Sequence, residues 1–294
     1  NILIPAFIDV LEKAFRIIIL LIIFKYIPNN YIDTNITIAY IVFFIGELLS
    51  YILLLIYYRF DKKEHYCTID NKEDDSIQLL FNVLVISVPL MIVELISSSF
   101  HTLTTLLLPR RLIVSGLSYN VALELIGRFM GMALSIITFP MVILFSLSSL
   151  LIPDLASSMA KDDIYTVKKR IIQVLVMAFL LGILVMIIGF LFGENLGRLI
   201  FKEKDLGSYV RFIAFCAPFI YLSQISRSIL NGLGKQKMIF TYSVIFSFLQ
   251  IIMLYILVAV PQINIYGVGI TLYVTNMLIL LCYFREIRRV LVFK

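Results

Sequence analysis

Eight stretches of about 20 or more largely apolar residues follow one another along this chain, with no period-two alternation of polar and apolar positions. Such stretches suit the hydrocarbon of a bilayer, where lipid tails take the place of water around apolar side chains. Every backbone N–H and C=O must find its partner inside the protein there, which leaves helices or a closed barrel. The length of the stretches and the missing alternation select helices. The expected fold class is therefore an all-α integral membrane protein. Composition agrees, with 61% hydrophobic and 15% charged residues, against roughly 45–50% and 25% in soluble domains. A soluble fold of these proportions would expose apolar surface on every side.

The expected spans run over roughly 6–27, 36–58, 77–108, 119–150, 171–192, 208–230, 238–260 and 264–284. The third and fourth exceed the length a bilayer requires, so each should tilt, or break near Pro89 and Pro140. The connections 59–76, 154–170, 231–237 and 285–294 hold fourteen Lys and Arg, and the alternate set 28–35, 109–118, 193–205 and 261–263 holds five. The first set is expected in the cytoplasm, together with both ends of the chain. The net charge of +6 is thus a topology signal spread over helix ends, and no nucleic-acid partner is expected. No signal peptide is seen. The chain starts with Asn1 and enters a span at once, so an N-terminal part is expected to be missing.

The longest polar run, RFDKKEHYCTIDNKEDDS at 59–76, divides the chain. The expected organisation is 1–58 as the last two helices of an N-terminal lobe, 59–76 as a cytoplasmic linker, 77–284 as a six-helix C-terminal lobe and 285–294 as a basic cytoplasmic end. Pro28 with YYR at 57–59, and Pro261 with YFR at 283–285, hint at a parallel repeat of the kind transporters carry. Pro and Arg are also common at helix ends, so both readings stand.

Enzymatic signatures are missing. The chain has no Walker A loop, HExxH, GxSxG or Rossmann glycine run. Cys67, Cys216 and Cys282 form no CxxC pair, and His65 with Cys67 are too few for a metal site. No connection is long enough for a soluble catalytic domain. No enzymatic activity, cofactor or metal is expected.

Ionisable residues inside spans are costly and tend to face a cavity or a partner. In the third span Glu94, Ser98, His101 and Thr105 share one helical face, widened by Ser97 and Thr102. In the fourth, Glu124, Arg128, Gly131, Ser135 and Thr138 do the same. Two such faces suggest a shared aqueous cleft, although for the hydroxyls interhelical hydrogen bonding alone is the favoured reading. Glu124 and Arg128 are also spaced to neutralise one another. Asp9, Glu12 and Arg16 line one face of the first span, beside Lys13; a solvated helix end is an equal reading. Gly127 and Gly131 form GxxxG, a pattern that permits close helix approach. Arg211 and Arg227 flank Pro218 near the interfaces and are read as snorkelling to water.

Residues 106–163 resemble the stage V sporulation protein B family. It belongs to the polysaccharide-exporter group of the superfamily that also holds multidrug and toxic compound extrusion proteins and lipid II flippases. The resemblance is carried by Pro109, Arg111, Leu112 and Gly116, by Gly127 and Gly131-Met132-Ala133, by Pro140, and by Ile152-Pro153 before a small polar segment. Pro5-Ala6 with Glu12 and Arg16 is similar to that family's fifth helix, and NGLGKQK at 231–237 to its connection after the tenth.

The resemblance implies a part, helices five to twelve, of a two-lobe multidrug-exporter/flippase-like fold. It also implies a membrane transporter, a flippase for a lipid-linked oligosaccharide used in peptidoglycan or spore cortex. Arg suits a diphosphate headgroup through its paired donors. Arg128 and Arg16, with Glu124, Ser98 and Thr105, are the expected substrate contacts, and Glu94 with His101 the expected coupling or gating pair. Expected partners are membrane lipid, the lipid-linked saccharide and a coupling ion, H+ or Na+, in the cytoplasmic (plasma) membrane. Two alternatives remain open: a cation-coupled small-molecule exporter, and a non-transporting scaffold for sporulation or wall synthesis.

Overall fold

The computed structural model describes residues 3–26, 32–64, 76–203 and 205–292, and every element in them is helical. In α1 to α3 some side chains lie outside the description, those of Asp9, Pro89 and Glu94 among them, as do residues 65–75 of the polar run. The chain divides into two compact units, one up to Leu80 and one from Phe81 onward.

The first unit holds α1 (Leu3–Tyr26) and α2 (Ile32–Glu64). The middle of α2, Thr37–Tyr57, is apolar enough to cross a bilayer. Tyr40, Phe44 and Tyr51 stand exposed along it, as side chains do when lipid is their solvent. Helix α3 (Ser76–Val114) starts at the boundary and belongs mostly to the second unit.

The second unit continues with α4 (Tyr119–Ile126), a π-helical segment (Gly127–Ala133), α5 (Leu134–Thr138) and α6 (Met141–Ala160). These form one continuous helical path. Phe139 and Pro140 keep right-handed helical dihedrals, while Val142 and Ile143 donate only three residues back, to Phe139 and Pro140. Proline has no N–H to give and its ring crowds the carbonyl four residues earlier, so the ladder breaks here. The expected fourth segment therefore breaks where expected, but helix continues past 150 to Ala160.

After a three-residue turn comes α7 (Ile164–Phe201), with 38 residues, or about 57 Å. A hydrocarbon core is about 30 Å thick, so its ends reach well beyond. Helices α8 (Gly207–Ala214) and α9 (Ala217–Gly232) follow one another with a bend of 49° and together are long and apolar enough for one span. The bend has the same cause as the first, since α8 stops at Ala214, the residue four before Pro218. Helices α10 (Gln236–Leu257) and α11 (Tyr266–Val292) complete the unit. Among the described residues six helices are long and apolar enough to span, or seven if the bent pair counts as one span. Helices α1 and α3, described only in part, cover the expected first and third segments.

Glycines on α7 let the bent span approach closely. A Cβ at Gly182 would lie 2.7 Å from the Pro218 Cα, and one at Gly189 2.8 Å from the Ala214 Cβ. At Gly197 it would lie 2.8 Å from the Leu206 Cβ. The small-residue packing is thus on α7. Gly127 and Gly131 meet nothing within 4 Å, so their GxxxG seats no helix among the described residues; they lie on the exposed side of their helix. Tyr221, fully buried on α9, donates to the Ile137 carbonyl at 2.8 Å, in the turn before Pro140. That bond joins one kinked helix to the other. The core around it holds Phe129, Leu144, Leu155, Ile213 and Ile225.

Candidate functional site

Charge in the second unit gathers around Arg128. It sits in the π-helical segment, with Phe129 beside it fully buried. Its Nη2 lies 2.9 Å from Glu124 Oε1 and 3.7 Å from Glu203 Oε2, and its Nη1 3.9 Å from Asp205 Oδ2. Three carboxylates from two parts of the chain therefore surround one guanidinium, with only Glu124 at hydrogen-bonding range. Phe129, the residue next to Arg128, joins Tyr209, Phe212 and Tyr266 in edge-on ring contacts with centroids 5.0 to 6.3 Å apart. Such edge-on pairs suit the ring quadrupoles and pack this end of the unit.

The polar face expected on this helix is present and open. Glu124, Gly127, Gly131 and Ser135 are exposed and Thr138 half-buried. Ser135 donates to the Gly131 carbonyl at 2.7 Å and Thr138 to the Leu134 carbonyl at 2.9 Å. The hydroxyls thus bond back to their own helix.

The α3 face behaves alike. Ser98, His101, Thr102 and Thr105 are exposed, and Thr102 and Thr105 donate to the Ser98 and His101 carbonyls. Elsewhere α3 is anchored, by the continuation of the same row toward its C-terminal end and by the side opposite it. Leu108 and Leu112 are buried, Phe100 meets Phe248 edge-on, and Arg111 lies over the Tyr255 ring at 3.7 Å while donating to the Tyr255 carbonyl at 2.9 Å. Arg111 and Gly116, which takes φ +99°, are therefore structural: one ties α3 to α10, the other turns the chain where a side chain would be strained. The Glu94 side chain lies outside the described residues, so no pairing with His101 is described.

In the first unit Arg16 pairs with Glu12 one turn earlier on α1 and, at 2.7 Å, with Glu47 on α2. Glu12 is buried at 5% exposure. The guanidinium lies 5.1 Å from the Phe43 ring centre, and Gly46 makes room for it, since a Cβ there would sit 2.7 Å from Arg16 Cγ. Arg16 and Glu12 are largely buried, while the Glu47 side chain is 73% exposed, so the cluster runs from the helix pair to its surface.

Sequence reading missed three of the acids now paired. Glu47 is the one charged residue between Thr37 and Tyr57, which is a legible signal. Glu203 and Asp205 look like ordinary solvated acids in sequence, and only the return of the chain from α7 to α8 brings them to Arg128. Among the described residues no group of three or more His, Cys, Asp or Glu could hold a metal ion.

A MatE family model matches residues 129–282. A curated relative, Stage V sporulation protein B of Bacillus subtilis (strain 168), is 21% identical over 251 residues, which are 84% of this chain and 48% of the relative. Two solved structures share the fold. One, an outward-facing multidrug resistance MATE family transporter of the MOP superfamily, superposes with TM-score 0.71 at 17% identity, over 97% of this chain and 62% of its own. The other, a MATE protein in a bent conformation, gives 0.72 at 16% identity, over 97% and 61%. The chain spans about half the length of the curated relative and about three fifths of these structures.

Proposed function

The chain belongs to the MatE family, a family of transporters and not of catalysts, and on that premise we propose that it forms part of a flippase for a lipid-linked oligosaccharide, a peptidoglycan or spore-cortex precursor. It is a multi-pass protein of the plasma membrane, and in this reading both ends of the chain face the cytoplasm.

The observation that carries the reading is the environment of Arg128. Its guanidinium is held by Glu124 at 2.9 Å and only loosely by Glu203 and Asp205 at 3.7 and 3.9 Å. A diphosphate headgroup offers oxygens in the geometry a guanidinium matches with paired donors. In this reading the headgroup displaces the two loose carboxylates and the tail stays in lipid. Arg16, already paired with two carboxylates, is proposed as a headgroup contact within the first unit. Ser98 and Thr105 add polar contacts, and Glu94 with His101 couples the movement to H+ or Na+. The similarity to Stage V sporulation protein B supports the sporulation setting of this reading.

A second reading, cation-coupled export of small molecules, is favoured by the excess of acids over bases at the same place, three carboxylates around one guanidinium.

The test reconstitutes the protein in vesicles with lipid-linked peptidoglycan precursor and measures how much becomes accessible on the opposite face. Arg128→Ala is expected to lower exposure about ten-fold, the loss of one charge-assisted contact, with normal membrane insertion. Unchanged exposure removes Arg128 from the site. No exposure above empty vesicles with wild-type protein moves the weight to small-molecule export.

A further inference from the structure

A groove of about 610 Å³ opens between α6 and α7, lined by none of the residues discussed above as substrate contacts. One end is polar, with Asp154, Arg170 and Gln173, and the walls below are Leu147, Leu150, Leu151, Val174 and Met177. Arg170 Nε lies 3.3 Å from Asp154 Oδ2, so the pair bridges the mouth from helix to helix.

Depth in the membrane follows from α7 itself. Ile171 to Gly193 contains no charged residue and covers about 34 Å, close to the thickness of a hydrocarbon core. Arg170 is therefore at the polar edge. Val174 and Met177 lie four and seven residues deeper, about 6 and 10 Å into the acyl region. The groove is polar at headgroup level and apolar at chain level, and its walls are half open to lipid: Leu150 is 66% exposed and Met177 51%.

The charge at the mouth selects the headgroup. Lys168, Lys169 and Arg170 are consecutive and exposed, and Lys169 stands one turn above Gln173 on the same face. Asp154 is the one acid lining the groove. We infer that this groove binds an anionic glycerophospholipid, its phosphate on Lys169 and Arg170 and an acyl chain between Leu150 and Met177. Basic pockets between spanning helices at a cytoplasmic interface take such headgroups, and each nearby basic residue adds appreciable attraction. The site does not depend on what the protein transports.

This chain contains no tryptophan, so Met177→Trp introduces its one tryptophan in the groove wall, read by excitation beyond tyrosine absorption. The variant is placed in phosphatidylcholine vesicles containing either brominated phosphatidylglycerol or brominated phosphatidylcholine. The expected result is that the anionic lipid quenches at a several-fold lower mole fraction. Arg170→Gln or Lys169→Gln should each cut that preference about five-fold. Val176→Trp, at the same depth but outside the groove, should show no preference. Equal quenching by both lipids at Met177→Trp, or a preference untouched by removing both charges, would overturn the inference. If Met177→Trp does not insert, Leu150→Trp on the facing wall makes the same comparison.

Discussion

Arg16 on α1 lies 2.7 Å from Glu47 on α2, and Glu47 stands midway along the apolar stretch Thr37–Tyr57. Ten residues on either side put this pair about 15 Å from each end of the stretch. A cation there needs its acids. Glu47 is exposed, but Glu12, the other partner of Arg16, is buried, and leaving a buried charge without its partner costs about 3–5 kcal/mol. Arg16→Ala should therefore lower the thermal midpoint of the protein in detergent sharply. Gly46→Ala should reproduce part of that loss by pushing the guanidinium aside. The two should be non-additive when combined, since both act on one contact; additive midpoint shifts would dissociate Gly46 from the cluster.

The α7 glycines predict a contrast between two GxxxG-like patterns. At Gly182 the obstacle to a methyl group is the Pro218 backbone at 2.7 Å, which has no rotamer to change. Gly182→Ala should destabilise by about 1–3 kcal/mol. Gly131→Ala meets open space and should change stability little or raise it. Paired denaturation curves in one detergent decide this, and equal effects would contradict the packing described.

The Tyr221 hydroxyl donates to the Ile137 carbonyl at 2.8 Å in a fully buried setting. Tyr221→Phe removes the donor and leaves the ring. About 1 kcal/mol should be lost, seen as a lower thermal midpoint. Pro140→Ala, which restores a backbone N–H to the helix, should reduce that penalty if the bond serves the kink.

Asp163 caps α7 by accepting from the Thr166 N–H at 3.1 Å. The hydrogen bonds from Thr166 hold its carboxyl below the ordinary aspartate value of 3.8. A carboxyl lowered in the folded state stabilises fully above the unfolded value, and that contribution fades as pH falls through the folded one. The first turn of α7 should therefore lose hydrogen-exchange protection at pH below about 3.8. Asp163→Asn, which caps without titrating, should keep its protection across the same range.

The architecture was largely readable from local chemistry. Pro140 and Pro218 break their helices as a missing N–H dictates, and the apolar runs mark the spans. The end of α6 was not readable, because the helix goes on to Ala160 through Asp154 and the polar residues after it, beyond the apolar run. The described polar residues expected on α3 and on the Arg128 helix are exposed or half-buried, and the Glu94 side chain lies outside the described residues. Their hydroxyl bonds run to their own backbones, which spacing alone does not distinguish from bonds between helices. The partners of the two arginines were the largest omission. Glu47 could have been found as a lone charge in a span. Glu203 and Asp205 could not, since their closeness to Arg128 depends on how the chain returns from α7 to α8.

The π-helical segment Gly127–Ala133 has a consequence at the level of the gene. A π-helical stretch carries one residue more than the α-helix it interrupts, and each residue turns an α-helix by about 100°. Loss of a single codon within 127–133 would relax this stretch to α-helix and leave Ala122 on one side and Ile137 on the other still facing the core. The same loss in the middle of α7 would swing Gly189, Gly193 and Gly197 away from α8. Length variation among related chains should therefore be tolerated at the first place and purged at the second.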